Sequence, residues 1–132
     1  MKKLSNFKNQ KITFVESYEV VSGVTCDVYS YNNQTSKDLA IVTVLAGHKT
    51  PLQRVLQGSK TIEGFVSGEG ALQIIDTNNE KQTYTFSDKL STPPQVVQIN
   101  QCMQWTASRE HDLVFFEECH PPYKEGRFEN IN

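Results

Sequence analysis

A chain of 132 residues, 37% hydrophobic and 21% charged, has the length of one domain and the composition of a globular one. Thirteen basic residues against fifteen acidic ones leave a net charge of −2, which excludes an electrostatic footprint for nucleic acid and a basic face for membranes. Cys26, Cys102 and Cys119 are odd in number and lack a CxxC pair, so they suit buried, reduced thiols rather than a disulfide framework.

The opening "MKKLSNFKNQKITF" never reaches the apolar run of about 7–15 residues that a signal peptide needs. No segment approaches the ~18 apolar residues of a membrane span, and the expectation is a cytoplasmic protein. From there nearly every segment alternates apolar and polar residues with period two, the signature of strands. "KITFVESYEVV" carries Ile12, Phe14, Tyr18 and Val20, and "VTCDVYSY" alternates Val24, Cys26 and Val28 against polar neighbours. After the turn cluster "NNQTSKD", the β-branched run "LAIVTVLAG" predicts a strand buried on both faces. "KTIEGFV" predicts the next strand, ended by "SGEG" read as a hairpin turn. "GALQIID", "TNNE" and "KQTYTF" then form a strand–turn–strand hairpin. "PQVVQINQCMQWTA", the turn "SREH" and "DLVFFEEC" complete the regular part, with a helical turn expected only in "SKDL" or "PYKEGRFEN". Eight or nine short strands and no long amphipathic stripe predict an all-β sandwich or barrel, with a jelly roll suiting the count best.

The stretch "AGHKTPLQRV…TIEGFVSGEGAL" resembles the first sequence motif of the cupins, small jelly-roll barrels (double-stranded β-helices). "VVQINQCMQW" followed by "DLVFFEECHPPY" resembles their second half. The resemblance spans about residues 38–123. It implies a single cupin-like domain over 1–132, with N-terminal strands at 11–31 completing the sheets and a tail at 121–132. Cupin metals are usually held by three imidazoles and a carboxylate. In this sequence Gln53, Val55 and Gln104 stand at the imidazole positions, and Ile99 and Gln101 replace the Pro and Gly of the second motif. A Gln carbonyl is a weak neutral ligand, so the expectation is no metal and no cofactor. Glu63 stands at the carboxylate spacing if Gly70 closes the motif, and Thr61 if Gly68 does. Either way both share one strand face with Phe65, pointing inward.

A barrel lined by Gln53, Thr61, Glu63 and Gln104 presents groups that donate and accept at once, which suits a sugar-like, polyhydroxylated ligand. Glu63, desolvated in the barrel, is the candidate general base, with His120 in "ECHPPY" as a candidate partner. Glu117 is assigned inward and Glu118 outward, since consecutive strand residues face opposite ways. Trp105 falls on the strand face opposite Gln104, as core between the sheets. Tyr123 and Arg127 belong to a tail able to fold over the barrel mouth, with Arg127 able to meet a carboxylate or phosphate. His111 reads as an exposed turn residue and His48 as a loop residue.

The leading expectation is a homodimeric cupin that binds a small polar ligand and, if catalytic, works as a metal-independent sugar isomerase or epimerase. The alternatives are a non-catalytic binding or structural cupin, and a metal-dependent oxygenase recruiting His48 or His120.

Overall fold

The period-two patterning becomes eleven strands in the computed structural model, which describes residues 3–131; the first two residues and Asn132, the last residue of the expected tail, lie outside them. They are β1 (Asn6–Phe7), β2 (Gln10–Val21), β3 (Val24–Tyr31), β4 (Asp38–Val44), β5 (Gln53–Val55), β6 (Lys60–Ile75), β7 (Lys81–Ser87), β8 (Gln95–Val97), β9 (Cys102–Ala107), β10 (Leu113–His120) and β11 (Phe128–Asn130). Every pairing is antiparallel, and no helix occurs among the described residues.

Strand β6 joins the two sheets. Its first half pairs with β10 and β8, and its second half with β9 and β7. One sheet therefore runs β2-β3-β4-β10-β6-β8, and the other runs β7-β6-β9-β5-β11. "SGEG" is thus not a hairpin turn, as the sequence led us to expect, but the crossing point of one sixteen-residue strand. Gly68 makes the crossing possible. It has φ +93, and a Cβ there would lie 1.9 Å from the Asp112 carbonyl oxygen, so the local backbone admits no side chain. The "TNNE" segment turns between the paired strands β6 and β7, as expected, and "SREH" turns from β9 in one sheet to β10 in the other. The tail holds β11, paired to β5, in place of a helical turn.

The sheets close around an apolar interior built from alternate positions: Val24, Cys26, Val42, Val44, Leu113 and Phe115 from one sheet face Leu72, Ile74, Phe86, Met103 and Trp105 from the other. The opposite face of the first sheet carries a second cluster, Ile12, Tyr29, Tyr31, Leu39 and Phe116, against which Phe7 packs. Strand β4 contributes to both clusters, Leu39 outward and Val42 and Val44 inward, which explains its unbroken apolar run. This is the jelly-roll barrel anticipated from the sequence.

Candidate functional site: a carboxyl pair inside the barrel

Strand parity fixes the site. Phe65 and Phe115 are register partners and belong to the interior cluster. Two residues along, on the same face, Glu63 lies directly opposite Glu117; beyond them Thr61 lies opposite Cys119, which in turn faces Asp38 on β4. Four inward positions on three adjacent strands therefore gather three carboxyl groups and a hydroxyl.

Glu63 is fully buried. Its Oε1 accepts a hydrogen bond from the Trp105 indole N–H at 2.8 Å, whereas its Oε2 is buried and accepts none from the protein. The Thr61 hydroxyl beside it is likewise buried without a partner. Glu117 is half-buried and so is the member of the pair that solvent reaches. Burial first, and then the neighbouring Glu117 charge, push Glu63 well above the usual carboxylate range; burial raises Glu117 as well. Two facing carboxyls cannot both ionise cheaply, so the ionisation of each depends on the other. Thr61 and Glu117 are near enough to shift Glu63, yet neither satisfies its Oε2.

Below the pair the barrel is solid. Trp105 stacks on Phe115 with ring centroids 4.4 Å apart and planes 10° from parallel, and Phe86 lies 5.1 Å from Trp105. This floor keeps water from the Glu63 side. Above the pair, the Tyr123 backbone N–H donates to Asp38 Oδ2 at 2.9 Å and the Tyr123 ring stacks on Phe128, so the tail stands over one side of the opening. Tyr18 of β2 lies within electrostatic range of Tyr123, Cys26 and Glu117, and burial raises its pKa strongly. Tyr18 and Tyr123 remain 43% and 51% exposed.

The other expected site residues fall elsewhere. Gln104 does not line the interior: its amide donates to the Thr50 carbonyl oxygen at 2.8 Å. Trp105 is the core residue that parity suggested, but the core between the sheets is the barrel interior itself. Of the two neighbours the larger apolar side chain takes that space and Gln104 faces away. Gln53 donates from Nε2 to Asn130 Oδ1 in an exposed setting, tying β5 to the tail. His120 has the parity of Glu118 and faces the outer side of the sheet, 4.0 Å from Glu118 Oε1. Burial lowers its pKa, and its ring does not join the pair. Arg127 is almost fully buried and bonds to backbone instead of a ligand, donating to the carbonyls of Lys60, His120 and Pro121 at 2.8–3.2 Å. His48 lies against the Gly23 turn, where a Cβ would come within 2.3 Å of its Nδ1.

A transition metal does not fit these residues. The inward positions of β5 and β9 hold Val55, Met103, Trp105 and Ala107, and no imidazole reaches the carboxyl pair. Among the described residues no group of three or more His, Cys, Asp or Glu side chains is placed to hold a metal ion. Two clefts, of about 290 Å³ at Arg54, Asp76, Asn79 and Asn100 and about 150 Å³ at Asp76, Gln82, Tyr84 and Gln95, lie away from Glu63 and Glu117.

No protein-family model and no curated protein matches the chain. Solved structures do. The chain is similar to an oxalate decarboxylase of Lactobacillus farciminis in a formate complex (TM-score 0.72, 15% identity, 88% of this chain and 33% of that one). It is similar also to the capsular polysaccharide assembling protein CapF of Staphylococcus aureus (TM-score 0.72, 10% identity, 92% of this chain and 34% of that one). A third is Streptomyces PAC13, a His-to-Gln variant solved with uridine (TM-score 0.64, 16% identity, all of this chain and 92% of that one). The chain spans about a third of the length of the first two. With the strand order above, these likenesses show that the chain has a cupin-like jelly-roll fold.

Proposed function

We propose that this cupin-like barrel binds a small hydroxylated, sugar-like molecule at the mouth above Glu63 and Glu117, and that the two carboxyls form one acid–base unit acting on it without a transition metal. The observation that carries the reading is the buried, unpartnered Oε2 of Glu63 facing a second carboxyl across the strand pair. A core built for stability alone pairs such a group with a cation or a donor. A pair holding one proton offers an acceptor and a donor side by side, which is what proton transfer next to a carbonyl requires. Glu117, reachable from the mouth, takes the proton from the carbon of a bound ketose or aldose. The proton shared with Glu63 goes to the carbonyl oxygen, giving an enediol; Glu117 then returns its proton to the neighbouring carbon, or to the other face of the first, while an enediol hydroxyl gives its proton back to Glu63, which completes isomerisation or epimerisation. The solved neighbours lend support in their ligand classes, since CapF assembles a capsular polysaccharide and PAC13 was solved with a nucleoside.

The same reading makes the protein a cytoplasmic homodimer. Its three buried free thiols suit a reducing compartment. Beyond the short β1 pairing, β2 has an open backbone edge flanked by exposed Phe14, Val15 and Val21, which a second copy would cover. Thermal-shift screening against free sugars and nucleotide sugars tests the site, because a ligand of the folded form raises the melting temperature. A sugar should raise it in the native protein; a Glu63→Gln variant should keep binding and lose turnover. If no sugar shifts the native protein at millimolar concentration, the reading fails.

A further inference from the structure

The residues around the mouth also constrain the charge of what can enter. Three strands each place a carboxyl there: Asp38 on β4, Glu117 on β10 and Glu63 on β6, in adjacent rows of the register. Burial raises the pKa of both Asp38 and Glu117, and the field of the Arg127 cation opposes part of that rise. Its two Nη atoms donate to the backbone carbonyls of Lys60, His120 and Pro121, its Nε–H is buried without a partner, and so no two-pronged face is left for an anion. Gly58 locks it further, since any Cβ there would lie 2.3 Å from Nη1. Arg127 therefore offsets part of the local negative charge without being free to grip an anion. Glu63 Oε2 and Thr61 Oγ1 are buried, unpartnered and on the inward face, whereas the unpartnered His120 Nε2 is on the outer side of the sheet and the unpartnered Arg127 Nε belongs to a guanidinium held by backbone.

Resting on the sugar-binding reading above, we propose that the site admits uncharged or amine-bearing hydroxylated molecules and rejects their carboxylated and phosphorylated counterparts. A neutral hydroxyl donates to Glu63 Oε2 and accepts from the Thr61 hydroxyl or from the proton shared by the pair. An ammonium group does better: it donates to both carboxyls, and the shared proton leaves to solvent as the pair becomes fully ionised. A carboxylate or phosphate would be desolvated beside two or three carboxyls with no uncommitted cation to receive it, an arrangement that costs more than any hydroxyl contact returns.

Matched quartets test this: a neutral hexose, its 2-amino sugar, its uronate and its 6-phosphate, with a parallel pentose set, titrated against the full chain by thermal shift and calorimetry. The expected result is binding of the neutral and amino members, with the uronate and phosphate at least tenfold weaker. Asp38→Asn, which keeps an acceptor for the Tyr123 N–H, should narrow that gap by about half on a logarithmic scale while circular dichroism shows an unchanged fold. A uronate or phosphate that binds as tightly as its neutral parent overturns the charge selection and leaves the sugar reading standing. Failure of every member of both sets overturns the two together.

Discussion

Glu117 and Glu118 are neighbours on β10 with opposite surroundings. Glu118 faces outward into a polar cluster that satisfies it: the Tyr31 hydroxyl donates to its Oε2 and the Lys37 ammonium sits 3.1 Å from the same oxygen. Glu117 faces inward toward another acid, and burial raises its pKa. One residue step, reversing the side of the sheet, separates a carboxyl that anchors structure from one held in a state of higher free energy. Stability alone explains the first. The second is tolerated at a cost, and costs of this kind gather at functional sites.

The largest effect should come from the satisfied member. Glu118→Ala removes the acceptor of both Tyr31 and Lys37, and breaking a mostly buried pair of this kind costs about 3 kcal/mol. In a chain of this size that lowers the melting temperature by roughly 10 °C. If Glu118→Ala melts like the native protein while Glu117→Ala does not fold, the two roles are reversed.

How much of this contrast the sequence disclosed depends on the residue. Parity with Phe65 was enough to aim Glu63 inward, because a strand's alternation is a local property, whereas the choice between Glu117 and Glu118 was settled only when Phe115 took its place in the interior cluster. The same rule carries His120 outward with Glu118, once Phe116 is known to belong to the outer cluster. That the sheet has a second apolar face at all was the harder inference, since β1 and β2 cover it from far along the chain. Gln104 and Trp105 were ambiguous because both faces of a jelly-roll strand can be buried, and only the partner sheet decides which one is the interior. "SGEG" carried the composition of a hairpin turn, yet glycines serve equally where one strand bends from sheet to sheet. The exchange of partners that distinguishes the two cases is nonlocal. Arg127 offered no local signal, since its three acceptors are backbone carbonyls contributed by two other segments.

A smaller effect follows from that arginine and sharpens the contrast between a committed charge and a free one. Gly58 adopts φ +91 and its missing side chain is the space the guanidinium occupies. Gly58→Ala imposes a strained backbone and displaces Arg127, for a loss of about 2 kcal/mol. The loss should be local as well as global: amide exchange at Leu56 and Arg127, bonded to each other's segments through Leu56 N–H and the Arg127 carbonyl at 2.7 Å, should accelerate ahead of the barrel strands. Uniform exchange across tail and barrel would mean that Arg127 does not hold the tail on its own.

The smallest change in stability should have the opposite sign. A carboxyl whose folded pKa stands above its unfolded one binds more protons in the folded state. Its contribution to stability is therefore complete below the unfolded value and drains away as the pH rises through the raised folded value. Glu63 and Glu117 both shift upward from about 4.5, so the native protein should lose stability from about that pH upward. Replacing either by Gln keeps the shape, removes the ionisation and leaves its partner to titrate without a like charge opposite. Denaturant melts of Glu63→Gln and Glu117→Gln between about pH 4.5 and pH 8 should therefore show a shallower decline than the native chain, with stability at neutral pH equal or slightly higher, by about 1 kcal/mol at most. Glu118, whose Oε2 is satisfied by Tyr31 and Lys37, supplies the contrast: Glu118→Gln should lower stability at neutral pH, opposite in sign to the two inward substitutions. A native slope that survives both Gln substitutions would show that the pair holds no shared proton, and the acid–base unit at the barrel mouth would lose its physical basis.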